Sequence, residues 1–214
     1  MAEQETTRVH LVRHGEVFNP RGVLYGRLPG YSLSDLGRAM AVRVGEALGG
    51  RDIVDVTASP LERAQETARP LADRLGLGIG TDARVIEAGN RFEGKTFGVG
   101  DGSLKRPEVW PLLVDPFRPS WGEPYLGIAT RMRAAVADAR ARARGHEAVL
   151  VSHQLPVWTA RSSYEGRKLF HDPRRRQCAL ASVTTLVWKG DRLVAVEYSE
   201  PAADLVPVKA GFGA

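Results

Sequence analysis

Two segments of the sequence each place a histidine directly after a run of apolar residues. In one, Val9 to Val12 lead into Arg13 and His14, and in the other the run "EAVLVSH" ends at His153. A neutral imidazole is a competent nucleophile near pH 7, because its ordinary pKa is about 6.5. Arginine presents a planar fork of N–H donors that matches the oxygens of an anion. Arg13 and His14 are therefore candidates for attack on a bound anion.

A third segment carries another arginine beyond an apolar run. The stretch "DIVDVTASP" has the pattern of a buried strand, and Arg63 follows it near the start of a predicted helix. Ser59 and Glu62 have the spacing of a capping box, and Pro60 stands at the first helical position, so we expect the helix to begin there. Pro70 predicts a kink or a break within that helix.

Strands and helices alternate along the rest of the chain. One helix is expected after its N-cap Ser34, one over 125–145 and a short one after His153, and a hairpin is expected around 189–191. This order predicts an α/β fold, namely a three-layer α/β/α sandwich around a mostly parallel sheet with an antiparallel edge.

The predicted sheet brings the basic side chains together. Ligands of such sheets bind beyond the carboxyl ends of the strands, where Arg13, His14, Arg63 and His153 would repel one another unless a dianion lay among them. Phosphate is the commonest biological dianion. We therefore expect His14 to attack phosphorus while the arginines and a protonated His153 stabilise the phosphoryl oxygens. Gly15 is expected to let the backbone approach the phosphate closely.

Segments along nearly the whole chain resemble the motifs of one enzyme family. "LVRHGE" resembles the signature of the histidine phosphatase superfamily, the phosphoglycerate-mutase-like enzymes with an Arg-His-Gly motif. The other segments that resemble its motifs are, in chain order, "LSDLGRAMA", "ASPLERAQETA", "VIEAGNRFEG", "WGEPYLGIATRM" and "VSHQLPV". The resemblance implies a phosphoglycerate-mutase-like fold, a phosphohistidine at His14, and phosphoryl binding by Arg13, Arg63 and His153.

Three further site residues come from the same resemblance. Glu87, in "VIEAG", matches the family's proton donor, with Glu93 as a nearby rival. Asn19 lies one residue earlier than the phosphate-contacting asparagine of the mutase pattern and is assigned to phosphate binding. Gln154 stands where the family usually has glycine, so its side chain is expected to alter the pocket wall and to affect specificity.

The leading functional hypothesis is a metal-independent phosphomonoesterase that acts through a phosphohistidine on a small phosphorylated metabolite, with no metal site and no cofactor. A cofactor-dependent phosphoglycerate mutase is the alternative within the enzymes. The position of Asn19 and the short irregular segment 88–125, which we expect to form a lid or insert, favour the phosphatase. An inactive phospholigand-binding protein on the same fold is the alternative of another class.

Composition bounds these hypotheses. The 214 residues, 43% of them hydrophobic, suit one domain over 1–200 and a C-terminal tail over 201–214. The net charge is +5 and 25 of the 30 basic residues are arginines, which suits anionic ligands or reflects a GC-rich genome. Basic and acidic residues are interleaved, so no nucleic acid is expected as a partner. The cluster 174–176 is interpreted as a solvated loop or as an attraction for an acidic substrate.

The remaining expectations concern location and assembly. No apolar run is long enough to span a bilayer, no signal peptide is recognisable, and Cys178 is the single cysteine. These features predict a cytoplasmic protein with a small phosphorylated substrate as its partner and no contact with membranes. The oligomeric state stays open, with a homodimer as one option.

Overall fold

A mixed sheet of six strands lies between two pairs of helices in the computed structural model, which describes residues 5–96 and 122–205. The strands are β1 (Thr6–Arg13), β2 (Ile53–Ala58), β3 (Ile79–Thr81), β4 (Glu147–Ser152), β5 (Val183–Lys189) and β6 (Arg192–Ser199). The helices are α1 (Asp35–Leu48), α2 (Glu62–Leu75), α3 (Tyr125–Arg142) and α4 (Gln154–Tyr164).

The order of the strands is β3-β2-β4-β1-β5-β6. The first four are parallel, whereas β5 is antiparallel to β1 and forms the predicted hairpin with β6. In this register Arg13 pairs with Ser152 across β1 and β4, and Ala58 pairs with Val151 across β2 and β4. The carboxyl ends of the three central strands are therefore level, and the residues that follow them share one edge of the sheet.

Apolar residues that alternate along the strands bury both faces of the sheet. Leu11 and Leu150 pack with α3 and α4 on one face, whereas Val12 and Val149 pack with α1 and α2 on the other. The predicted α/β class, with a mostly parallel sheet and an antiparallel edge, is confirmed.

The starts of the first two helices differ in how well the sequence predicted them. Ser34 caps α1 as expected, because its hydroxyl accepts from the N–H of Gly37 at 2.9 Å. The prediction of a capping box at Ser59 is wrong, because α2 begins at Glu62 and no side chain caps its first turn. The hydroxyl of Ser59 instead contacts a residue of the site described below. Helix α2 also continues unbroken through Pro70.

The chain after β6 returns to the core. Ala202 is buried, and Asp204 pairs with Arg43 of α1 at 2.8 Å. The first residues of the predicted tail, 201–205, are therefore packed and not loose, whereas 206–214 and most of the predicted lid, 97–121, lie outside the described residues. None of the helices in the described ranges is both long and apolar enough to cross a membrane.

Candidate active site

His14 lies directly beyond β1 and is only 2% exposed. Its Nδ1 lies 2.7 Å from the carbonyl oxygen of Gly15. A carbonyl can only accept, so the proton of the neutral ring is on Nδ1 and Nε2 carries the lone pair. Burial, reinforced by the positive charges of Arg63 and Arg13, holds the pKa of His14 well below its usual range. The ring is therefore neutral near pH 7 and has a nucleophilic nitrogen.

Two arginines have buried N–H groups, without hydrogen-bond acceptors among the described residues, in the same cluster as this ring. Arg13 is 5% and Arg63 0% exposed, and each uses one N–H to fix its position: Arg13 Nη1 donates to Cys178 O at 2.7 Å, and Arg63 Nη2 donates to Gly26 O at 2.6 Å. Within residues 5–96 and 122–205, Arg13 Nε and Arg63 Nε and Nη1 are buried without a hydrogen-bond acceptor. Buried donors without acceptors are costly, so this set favours an anionic ligand with several oxygens.

His153 completes the cluster from the end of β4. The centroid of its ring lies 5.1 Å from that of His14, and its Nε2 lies 2.8 Å from Ser59 Oγ. Its Nδ1 is buried and has no partner among the described residues. Burial, with the positive charges of Arg63, Arg131 and Arg13, lowers the pKa of His153 well below its ordinary value. Burial and the neighbouring arginines therefore favour a neutral His153 in the protein without an anion, and the expected protonation of His153 beside a bound phosphoryl group stays a prediction.

Glu87 follows a short 3-10 turn, Ala83–Val85, that is tied to the end of β4. Ser152 Oγ donates to Val85 O at 2.7 Å, and the Glu87 carboxylate accepts from the N–H of Ala88 at 2.8 Å. Burial raises the pKa of Glu87, although this N–H and the charges of Arg63 and Arg13 act in the opposite direction. A carboxyl group of raised pKa close to both arginines is suited to donating a proton.

A bridge of two arginines and one carboxylate holds the backbone around Glu87. Arg131 Nη1 donates to Ile86 O at 2.7 Å, and Arg27 Nε donates to Glu87 O at 2.7 Å. The carboxylate of Glu123 joins them, lying 2.8 Å from Arg131 Nε and 2.9 Å from Arg27 Nη2. Helix α3 thus contributes Arg131 to the support of the backbone at Glu87.

A comparison with family models accounts for this arrangement. The model of the histidine phosphatase superfamily, branch 1, matches residues 9–201. The chain belongs to this superfamily. The match includes every residue that the site description names, and it confirms the family to which the sequence motifs were assigned.

Relatives in the superfamily include both phosphatases and mutases. The chain is 61% identical over 199 residues to the uncharacterized protein Rv0525 of Mycobacterium tuberculosis, covering 93% of this chain and 98% of that one. It is 29% identical over 185 residues to the probable phosphoglycerate mutase GpmB of Yersinia pestis, covering 82% and 84% of the two chains. The native structure of mycobacterial glucosyl-3-phosphoglycerate phosphatase superposes with a TM-score of 0.68 at 28% identity, covering 84% and 89%.

The glycine of the Arg-His-Gly motif in this member of the histidine phosphatase superfamily has a packing role that the sequence analysis missed. A Cβ on Gly15 would lie 2.5 Å from the carbonyl oxygen of Gly37 in α1, and a Cβ on Gly37 would collide with the backbone of Glu16. The absence of a side chain at Gly15 thus allows a close contact between the His14 loop and α1, and the expected approach of its backbone to the phosphate stays a prediction. Gly15 N also donates to Thr67 Oγ1 at 3.1 Å, which ties the loop to α2.

The two carboxylates that competed for the role of acid have different surroundings. One carboxylate oxygen of Glu93 accepts from the backbone N–H groups of Arg27 at 3.1 Å and Asn90 at 3.3 Å. These bonds commit Glu93 to holding the backbone at Arg27 and Asn90. Glu87 is thus the better supported proton donor, and its role stays a prediction.

The side chain of Asn19 forms hydrogen bonds with the backbone of a nearby residue. Its Nδ2 donates to Val23 O at 2.8 Å, and its Oδ1 accepts from Val23 N at 3.2 Å, so the side chain closes the turn at residues 19–23. Only the second hydrogen on Nδ2 is left for a ligand. The structure gives Asn19 a turn-closing function, and its assignment to phosphate binding stays a prediction.

Gln154 forms a hydrogen bond with Arg176, an arginine that the sequence analysis did not single out. Its Oε1 accepts from Arg176 Nη1 at 3.2 Å. The cluster 174–176 was interpreted as one solvated loop, but only Arg174 and Arg175 are exposed, whereas Arg176 is half-buried and donates from Nε to His171 Nε2 at 2.8 Å. No sequence signal separates these three arginines, because the loop geometry decides which of them turns inward.

The chemistry of the site follows from its composition. Over residues 5–96 and 122–205, no three side chains of the types that ligate metals come together. The groups that do converge are two arginines, two neutral histidines and one carboxyl group of raised pKa. They can bind a phosphoryl group, attack it and protonate what leaves.

Proposed function

We propose that this protein hydrolyses small phosphomonoesters through a phosphohistidine formed on His14 Nε2. Two features found together support this proposal. His14 is neutral with its proton on Nδ1, and Arg13, Arg63 and His153 have buried nitrogens without hydrogen-bond partners among the described residues. A neutral imidazole by itself would be consistent with a structural histidine. Free N–H donors by themselves would be consistent with a site that only binds an anion. Together they favour nucleophilic attack on bound phosphate.

The first step transfers the phosphoryl group to the protein. The lone pair of His14 Nε2 forms a bond to phosphorus while the phosphorus–oxygen bond of the ester breaks. Glu87 gives its proton to the departing alkoxide, and the alcohol leaves. Arg13, Arg63 and the Nδ1–H of His153 hold the non-bridging oxygens through the transition state.

The second step restores the enzyme. Water attacks phosphorus, the ionised Glu87 takes a proton from that water, and the phosphorus–nitrogen bond returns its electron pair to His14. Inorganic phosphate is released, and Glu87 is again protonated. A mutase would use the hydroxyl of a bound sugar acid in place of water, and the likeness to a probable phosphoglycerate mutase makes this the competing candidate.

The decisive experiment follows phosphate release from p-nitrophenyl phosphate, with and without EDTA, by the wild type, by His14→Ala and by His146→Ala. His146 is an exposed histidine that pairs with Asp52, remote from the site, and serves as the matched control. We expect turnover by the wild type and by the control in both conditions, and its loss in His14→Ala.

Trapping the intermediate identifies the nucleophile. Rapid quenching in alkali should retain phosphate on the wild type and not on His14→Ala, since phosphohistidine is stable to alkali and labile to acid. Wild-type turnover in His14→Ala would overturn the mechanism. Interconversion of 3- and 2-phosphoglycerate faster than phosphate release would assign the protein to the mutases, and binding of phosphate without any turnover would assign it to inactive ligand-binding proteins.

A further inference from the structure

Thr67 lies one turn beyond Arg63 in α2, and its side chain is fully buried. Its Oγ1 donates to the carbonyl oxygen of Arg63 at 2.7 Å and accepts from the backbone N–H of Gly15 at 3.1 Å. A hydroxyl has both a donor and acceptor lone pairs, so one group can make the two bonds. Thr67 therefore links the helix that carries Arg63 to the loop that carries His14.

The backbone of Gly15 determines which nitrogen of His14 is free to react. Gly15 O lies 2.7 Å from His14 Nδ1 and accepts the proton of the neutral ring, so the lone pair is on Nε2. The N–H of Gly15 is buried and donates to Thr67. A rotation of the backbone at this glycine, which few steric contacts of its own oppose, would move the carbonyl away from the ring. The bond to Thr67 thus helps to fix the orientation of the His14 ring.

The position of Arg63 depends less on this hydroxyl. Its Nη2 donates to Gly26 O at 2.6 Å, which fixes the guanidinium from another loop. Its carbonyl is the regular acceptor for the backbone N–H of Thr67 in an α-helix, so it would stay paired without the hydroxyl. The group that would lose its partner is the buried N–H of Gly15. Loss of the hydroxyl should therefore disturb the nucleophile and leave the anion-binding guanidinium in place.

We infer that Thr67 is a positioning residue for phosphoryl transfer, whose hydroxyl holds Gly15 so that His14 Nε2 faces the phosphoryl group bound by Arg63. This inference rests on the proposed function. One side chain then sets the nucleophile relative to the arginine, and it governs the rate of the chemical step more than the affinity for phosphate.

Thr67→Val tests the inference, because it replaces the hydroxyl by a methyl group of similar shape. With p-nitrophenyl phosphate we expect kcat, and the rate at which phosphohistidine forms after rapid mixing, to fall by about 10- to 100-fold, since a small displacement of a reacting group has an effect of this size. The inhibition constant of inorganic phosphate should change by less than about threefold, because the donors that bind the anion are retained.

Thr130→Val is the matched control. Thr130 Oγ1 donates to Leu126 O at 2.9 Å, the same bond to a carbonyl four residues earlier, but on an exposed part of α3. The control should leave kcat unchanged, whereas Thr67→Ser keeps the hydroxyl and should recover most of the rate. Nitrogen NMR shifts of the His14 ring should show the proton on Nδ1 in the wild type and in Thr67→Ser, and a mixture of tautomers in Thr67→Val.

Three results would overturn the inference. They are an unchanged rate of phosphohistidine formation in Thr67→Val, a loss of phosphate affinity as large as the loss of rate, and an equal loss of rate in Thr130→Val. If thermal unfolding shows that Thr67→Val does not fold, Thr67→Ala also lacks the hydroxyl and makes the same comparison with Thr67→Ser. Absence of turnover by the wild type would defeat the proposed function itself, whereas turnover that is insensitive to Thr67 would defeat this inference alone.

Discussion

The hydroxyl of Ser59 lies 2.8 Å from Nε2 of His153, although 94 residues separate the two in the sequence. Both side chains are fully buried, at the ends of neighbouring parallel strands. When the hydroxyl donates to Nε2, the proton of the neutral His153 ring must be on Nδ1, the nitrogen with no partner among the described residues. We therefore predict that Ser59 is a positioning residue, which holds the His153 ring as a neutral donor for the phosphoryl group of the proposed reaction.

Removal of this hydroxyl should weaken catalysis without unfolding the protein. We expect Ser59→Ala to lower kcat/KM for p-nitrophenyl phosphate by about 10-fold, because a buried hydrogen bond to an ionisable ring contributes roughly 1–2 kcal/mol. Nitrogen NMR shifts of the His153 ring should show the proton on Nδ1 in the wild type and a mixture of tautomers in the variant. Ser163→Ala is the control; the same mixture in the wild type would contradict the assignment.

The role of Glu87 can be separated from a structural one by the leaving group. We expect Glu87→Gln to slow hydrolysis of glycerol 3-phosphate by about 100-fold or more, and that of p-nitrophenyl phosphate far less, because nitrophenolate leaves without a proton. Burial raises the pKa of Glu87, and the acid must be protonated, so kcat/KM for the alkyl ester should fall as the pH rises through this pKa.

Two observations check that assignment. The alkaline fall due to Glu87 should be missing from the pH profile of Glu87→Gln. Glu93→Gln should slow both substrates equally or not at all, since Glu93 holds backbone N–H groups of the loop. A leaving-group effect in Glu93→Gln and none in Glu87→Gln would exchange their roles.

The bridge at Glu123 should matter for placing the acid. We expect Glu123→Gln to slow hydrolysis of the alkyl ester by about 10-fold and to leave the nitrophenyl ester less affected, because Arg27 and Arg131 would hold the backbone at Glu87 less firmly. Glu46→Gln, which removes an exposed partner of Arg43, is the matched control. Equal loss on the two esters would indicate a general loss of structure.

An ion-pair cluster remote from the site should govern stability in acid. Burial alone would raise the pKa of Glu147, but hydrogen bonds from His10 at 2.7 Å and Arg51 at 2.6 Å outweigh it and hold this pKa at about 2. A free glutamate has a pKa of about 4.3, so the unfolded state binds more protons between these values. The stabilisation is complete above about pH 4.3 and is lost as the pH falls towards 2.

Denaturant unfolding of Glu147→Gln against the wild type measures this contribution. We expect the variant to lose about 2 kcal/mol of unfolding free energy at neutral pH, and the difference to shrink in acid. A constant difference over that range would show that packing, and not the charge of Glu147, accounts for the loss.

The sequence by itself determined the strands that end at Arg13 and Ser152, because apolar runs of that length require burial in a sheet. It also determined the start of α1 at Ser34, a local hydrogen bond between near neighbours. Because parallel strands share the direction of their carboxyl ends, the convergence of His14, Arg63 and His153 could be predicted without coordinates.

Only the tertiary structure decided which residues contact Ser59, Gly15 and Arg176. Ser59 had the local pattern of a helix cap, but the register of β2 against β4 places His153 within its reach. Gly15 serves contact with Gly37, and Arg176 differs from Arg174 only in the direction that the loop gives it. These contacts depend on burial and on residues that are far apart in the chain, and the local spacing of residue types reveals neither factor. Burial also lowers the pKa of His153.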